Sequence, residues 1–214
     1  MDKMIIFDLD GTLWDSSVQV AESWNMVLEE NTGRKWNLTA ADISRNMGKT
    51  MDQIADDLFS EYEPDERYAM ARYCEVFENA YITEHGGDMY PGVTETLHKM
   101  HEAGYIMSVV SNCQKDYVRA FLDSMKMHEV FTDYEEWGRS GYLKADNIRL
   151  VMQRNNISGA VYVGDIQADA DAAAKAGVPC IWASYGFGHI EHPAAVLDSF
   201  DKLPALLKEL GIIG

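Results

Sequence analysis

Positive charge is scarce in this chain: 18 lysines and arginines stand against 35 aspartates and glutamates, a formal net charge of −17 at pH 7. Nucleic acids and anionic membrane surfaces select basic patches, so this balance excludes both as partners and points to a small ligand. Cysteine is scarce too. Cys74, Cys113 and Cys180 are odd in number, far apart and in no metal-binding spacing, which excludes a disulfide framework and predicts reduced thiols. Cys113 follows Ser111-Asn112 but lacks the setting of a nucleophile, and it reads as a structural thiol. Long hydrophobic runs are missing. The apolar stretches are strand-sized, well short of the ~20 residues of a membrane helix, and the N-terminal stretch lacks a basic start followed by an apolar core. The expectation is a cytoplasmic protein, monomer or homodimer, without internal repeats.

Apolar residues make up 47% of the chain, enough for one large domain or a core with a smaller insert. The run Met4-Ile5-Ile6-Phe7 has no polar alternation, as expected of a strand covered on both faces, and leads straight into Asp8-Leu9-Asp10-Gly11-Thr12. Two more runs end alike: Ile106 to Val110 in Ser111-Asn112, and Ala160 to Val163 in Gly164-Asp165. Parallel sheets collect ligands beyond the carboxyl ends of their strands, so these ends are expected to share one crevice. The plain alternative, Asp10-Gly11 as a hairpin turn, accounts for one run end and leaves the others unexplained.

Between the first two runs the period becomes helical. Val20, Trp24, Val27 and Leu28 share a helix face that stops at Asn31-Thr32-Gly33, and a second helix starts at Thr39. Thr50 with Gln53 forms a capping box, and Pro64 opens a helix that ends at Gly86-Gly87. Four helices with no strand among them predict a bundle inserted into an α/β chain: residues 1–15 and 88–214 as the core, residues 16–87 as a helical cap domain, with a hinge at the two connections. From Pro91 onward helices and strands alternate, with a short strand expected near Val130-Phe131 and another over Val178 to Trp182. The fold class is α/β, a doubly wound parallel sheet.

These residues resemble the haloacid dehalogenase-like superfamily, and within it the helical-cap phosphatases related to phosphoglycolate phosphatase and β-phosphoglucomutase. Asp8-Leu9-Asp10-Gly11-Thr12 is similar to the first family motif, Ser111-Asn112 to the second, Lys144 to the third, and Gly164-Asp165 with Asp169 to the fourth. The resemblance implies a HAD-like Rossmannoid core and a phosphatase acting on a small phosphorylated metabolite. By it, Asp8 is the nucleophile and Asp10 the general acid and base. Ser111 and the Asn112 amide bind the phosphoryl group, and Lys144 neutralises charge. Magnesium is held by the side chains of Asp8 and Asp165 and the backbone carbonyl of Asp10. Asp169 either holds a metal-bound water or orients Lys144. One departure from the family pattern is Ala145, where proline usually follows the lysine.

Each assignment has a plainer counterpart. Ser111 alone suits a helix N-cap, Lys144 a solvated lysine, and Asp169 or Asp171 an acid favoured by a helix N-terminus. His98 and His101 have metal-binding spacing without a third ligand. In the insert, Met47-Gly48-Lys49 is the candidate substrate loop, with Lys49 as its charge and Arg45 a weaker candidate; an ordinary helix connection is the alternative. A phosphomutase would share all four motifs, although Thr12 follows the phosphatase form of the first. A phospho-aspartate signalling receiver would need neither the insert nor Asp10.

Overall fold

Four apolar runs become neighbouring strands of one parallel sheet. The structure, a computed structural model, describes residues 3–212, so residues 1–2 and 213–214 of the expected core segments lie outside the described residues. In chain order the elements are β1 (Lys3–Phe7), β2 (Trp14–Asp15), α1 (Ser17–Thr32), α2 (Ala40–Ser44), α3 (Met51–Leu58), α4 (Pro64–His85) and β3 (Asp88–Met89). Next come α5 (Val93–Glu102), β4 (Ile106–Ser111), α6 (Tyr117–Met125), β5 (Asp133–Glu136), α7 (Trp137–Ser140) and α8 (Lys144–Arg154). The chain continues through β6 (Gly159–Gly164), α9 (Gln167–Ala176), β7 (Cys180–Ala183), β8 (Ala195–Leu197), a 3-10 turn (Phe200–Lys202) and α10 (Leu203–Glu209).

The six-stranded sheet runs in the order β5-β4-β1-β6-β7-β8 with every neighbouring pair parallel. The chain winds outward from β1 in both directions, which makes a switch point beside β1 where a crevice opens. β1 shows why the run lacks alternation. Ile5 and Phe7 join a core with Val93 and Leu97 of α5, Phe121 of α6 and Leu203 of α10, while Met4 and Ile6 join one with Ile148 of α8 and Ala173 of α9. Each such side chain, at most 1% exposed in β1, contributes about 1.5–3 kcal/mol by leaving water. Among the described residues no helix is long and apolar enough to cross a membrane.

The expected strand near Val130-Phe131 lies instead at Asp133–Glu136, and Val130 and Phe131 are buried just before it. Hydrophobicity misplaces this edge strand because its acids are structural. Glu136 accepts from the backbone N–H groups of Asp116 (2.5 Å) and Val118 (3.0 Å) at the start of α6, and Glu135 binds Arg139 (2.8 Å) and Arg154 (2.6 Å).

The helices α1 to α4 form a layer over the carboxyl edge. Capping boxes start α2 (Thr39 with Asp42) and α3 (Thr50 with Gln53), Pro64 stands in the first turn of α4, and Gly33 ends α1 in the left-handed conformation. The layer's two connections to the sheet pair with one another: Trp14 lies opposite Met89 and Asp15 opposite Asp88 in an antiparallel ribbon.

Candidate active site

β1 delivers Asp8 to the switch point, where its N–H donates to the Val163 carbonyl of β6 (2.8 Å). The chain then turns sharply, with the N–H of Leu13 returning to the Leu9 carbonyl (2.8 Å). Gly11 has φ +83°, and a Cβ there would run into the Asp165 carboxylate, so the turn requires glycine to bring the ends of β1 and β6 together. Asp165 is fixed by the Phe187 N–H, which donates to Oδ2 (2.8 Å). The loop after β7 thus contributes through its backbone, a role that its aromatic and glycine residues do not announce.

Lys144 opens α8 and is buried. Its Nζ donates to Asp8 Oδ1 (2.8 Å) and Asp169 Oδ1 (2.6 Å). Asp169 Oδ2 accepts from the N–H groups of Asp165 (3.0 Å) and Ile166 (3.2 Å) at the start of α9. Asp169 therefore caps the start of α9 and bonds Lys144 at once. Ala145 in place of proline still leaves Lys144 at the first position of the helix.

One ammonium cannot balance three buried carboxylates. Oxygens of Asp8, Asp165 and Asp169 lie within 4.8 Å of one another. Burial first, and then the charge of Asp169, push the Asp8 and Asp165 carboxyls well above the usual range. Burial pulls Lys144 down, but Asp169 and Asp8 outweigh it and hold the ammonium in its charged form. Uncompensated buried charge costs several kcal/mol per ion, so these oxygen donors fit a hard divalent cation.

Asp10 points elsewhere. Its Oδ1 accepts from Ser16 Oγ (2.6 Å) and Tyr117 OH (3.1 Å), and burial pushes its carboxyl up to about 6 despite these donors. Tyr117 was not visible in the sequence as a partner, because it arrives from a helix 107 positions away. Ser111 ends β4 instead of capping α6, whose N-cap is Asp116. The Asn112 side chain donates to the Gly48 carbonyl (3.0 Å) and so ties the sheet edge to the helical layer. At Gly48, φ +82°, a Cβ would strike Ile166, so the close approach expected of this glycine is to the core.

Between the layers lies a cavity of about 40 Å³ that meets Asp10, Ser111, Lys49 and Glu78. Lys49 is held by Asn46 (2.9 Å) and Asp57 (2.5 Å). Glu78 went unnoticed in the sequence because it reads as one more acid on a charged helix. It is 4% exposed, and it accepts from Gln114 Nε2 (2.8 Å) and Trp24 Nε1. Burial pushes its carboxyl up to about 8, with Asp10 and Glu75 adding to the rise. The neutral form is thus favoured by folding, and that stability is present below the ordinary value of 4.5 and lost as pH rises through about 8. Glu78→Gln is expected to gain on the parent by about 2–5 kcal/mol between pH 5 and 8.5. Denaturant melts of both proteins at several pH values read this as a difference, which cancels the similar trend from other acids. A constant difference would contradict it.

Other candidates stand apart. Cys113 is half-buried, and burial and Glu136 raise its thiol. Asp171 is exposed and accepts from Gln167 (2.9 Å). His98 and His101 are exposed on α5 and join no group of metal-ligating side chains among the described residues. Arg45 pairs with Asp42 on the surface.

A parallel sheet whose central strand ends in a lysine-held aspartate, roofed by helices, is the architecture of an α/β enzyme. The haloacid dehalogenase-like hydrolase family model matches residues 5–183, and the chain belongs to that family and to its phosphatase subfamily. A phosphoglycolate phosphatase from Pseudomonas savastanoi pv. phaseolicola is 31% identical, covering 95% of this chain and 79% of that protein. Among solved structures, a predicted phosphatase from Clostridium acetobutylicum superimposes with a TM-score of 0.82 at 22% identity, covering 98% of this chain and 99% of that one. A variant of CbbY from Rhodobacter sphaeroides in complex with xylulose 1,5-bisphosphate gives 0.77 at 21% identity, covering 95% and 96%. At these identities the solved structures speak for the fold.

Proposed function

We propose that the chain is a magnesium-dependent phosphatase of the cytoplasm that hydrolyses a small phosphorylated metabolite through an aspartyl phosphate on Asp8. The observation that carries this reading is the buried Asp8–Lys144–Asp169 chain beside Asp165, at 2.8 and 2.6 Å, on the carboxyl edge of the sheet. Lys144 fixes Oδ1 of Asp8. A carboxylate oxygen of Asp8 bonds to phosphorus as the ester P–O bond breaks, and the leaving alcohol oxygen takes a proton from Asp10. Asp10 then removes a proton from water, which attacks phosphorus, releases inorganic phosphate and restores the Asp8 carboxylate.

Ser111 and the Asn112 backbone amide hold phosphoryl oxygens, and Lys49, on the helical layer that acts as a cap, lines the substrate cavity with its ammonium held by Asp57. The Asp8 and Asp165 side chains and the Asp10 carbonyl would hold Mg²⁺, with Asp169 steering Lys144. When bound, the cation lowers the repulsion between the phosphoryl group and the aspartates. Ser16 and Tyr117, both donors to Asp10, keep its carboxyl oriented for proton transfer.

The test is phosphate release from a panel of small phosphomonoesters with Mg²⁺ or with chelator. Release is expected only with the metal. Saturating Mg²⁺ is also expected to raise the melting temperature of the parent, because only the folded chain assembles the site. A melting point indifferent to Mg²⁺, or full turnover in chelator, would remove the metal from the mechanism.

A further inference from the structure

The cavity between the layers has Asp10 and Ser111 at one end, so the alcohol part of a bound ester projects from them toward the helical layer. Trp24, Ile43, Met51 and Ile54 give it apolar walls. Among the polar residues that also line it is the buried acid Glu78. Each of its oxygens accepts from an N–H donor, Gln114 Nε2 at 2.8 Å and Trp24 Nε1, so the carboxyl that burial keeps neutral is already held for the ionised form that a neighbouring cation would favour.

No cation pairs with Glu78 among the described residues. Lys49, on the same cavity, is held by Asp57 (2.5 Å), and Arg72 turns to Glu75 (2.5 Å). A carboxylate entering here would meet Glu78, Asp10 and apolar walls, and its charge would stay uncompensated. An ammonium would gain its counter-ion in the same place.

Resting on the phosphatase reading above, we propose that Glu78 reads the leaving alcohol, and that the preferred substrate is a phosphomonoester of a small amino alcohol whose ammonium pairs with Glu78. The cavity is small, about 40 Å³, and the two-carbon amino alcohol is the simplest member of the class with which to test it. Glu78 is then a specificity-determining residue, and the phosphoryl chemistry is unchanged.

The experiment compares kcat/KM for phosphoethanolamine and phosphoglycolate, two-carbon esters of opposite terminal charge, using the full chain with Mg²⁺. Phosphoethanolamine is expected to lead by at least about a hundredfold, as for a site whose buried polar group needs its partner. Glu78→Gln is expected to bring the ratio within about tenfold, mainly through KM for phosphoethanolamine, and Glu78→Asp to keep the amine preferred. Calorimetry with the alcohols alone, ethanolamine against glycolate, reads the cavity without turnover. The parent is expected to bind ethanolamine more tightly, and Glu78→Gln to lose that preference.

Phosphoglycolate turned over as well as phosphoethanolamine would overturn the proposal and leave the phosphatase reading intact. So would an unchanged ratio in a folded Glu78→Gln protein. Failure to hydrolyse any phosphomonoester would instead sink the phosphatase reading, and calorimetric preference for glycolate, or for neither alcohol, would sink the assignment of Glu78.

Discussion

Asp8→Asn is expected to cut phosphate release by at least about 10⁴-fold, the scale on which loss of a nucleophile is felt. Asparagine keeps the shape of the side chain and can still accept from Lys144 through its amide oxygen, so the variant should fold with the circular dichroism of the parent. The amide is nevertheless no substitute for a carboxylate that must form an acyl phosphate. In single-turnover assays the parent should also retain labelled phosphate in an acid-quenched, hydroxylamine-sensitive form, and Asp8→Asn should not. Turnover within tenfold of the parent would mean that phosphorus is attacked by something other than Asp8.

Lys144→Met is expected to damage stability as well as turnover. Lys144 is 3% exposed and its ammonium sits between Asp8 and Asp169, so its removal leaves these acids buried without the cation that pairs with them both. Breaking such a pair from one side costs about 3–5 kcal/mol, which corresponds to a fall in melting temperature of about 6–20 °C for a chain of this size. Phosphate release should fall by about 10²–10³-fold, as on loss of a group that stabilises developing charge. Magnesium should recover part of the melting temperature and little of the rate, because it offsets the repulsion without supplying the ammonium on Oδ1. A melting temperature within a degree or two of the parent, measured without metal, would show that the site tolerates its acids unaided.

The sheet was legible wherever packing alone shapes a strand. The runs before Asp8, Ser111 and Gly164 are covered on both faces, and continuous hydrophobicity marks them. β5 was misplaced because Asp133–Glu136 is shaped by bonds to arginines and to the N–H groups of α6, which no apolar pattern records. β8, three residues at the far edge, is too short to give a pattern. Asp8, Asp165 and Lys144 could be picked out because each stands where an element begins or ends. Ser16, Tyr117 and Glu78 could not, since their importance depends on neighbours as far as 107 positions away.

The ribbon of Trp14–Asp15 and Asp88–Met89 bears on how such an enzyme acquires a new substrate. Directly opposed residues of an antiparallel pair lie only about 5 Å apart, so the helical layer leaves the sheet and returns to it almost at one point. Such a layer is a cartridge: it can be lengthened, shortened or exchanged for another while the strand order and the aspartates beneath it stay as they are. Glu78 belongs to the cartridge and Gln114, its donor, to the socket. A transplanted helical layer would therefore carry its selectivity across only where the receiving sheet offers an amide at that position.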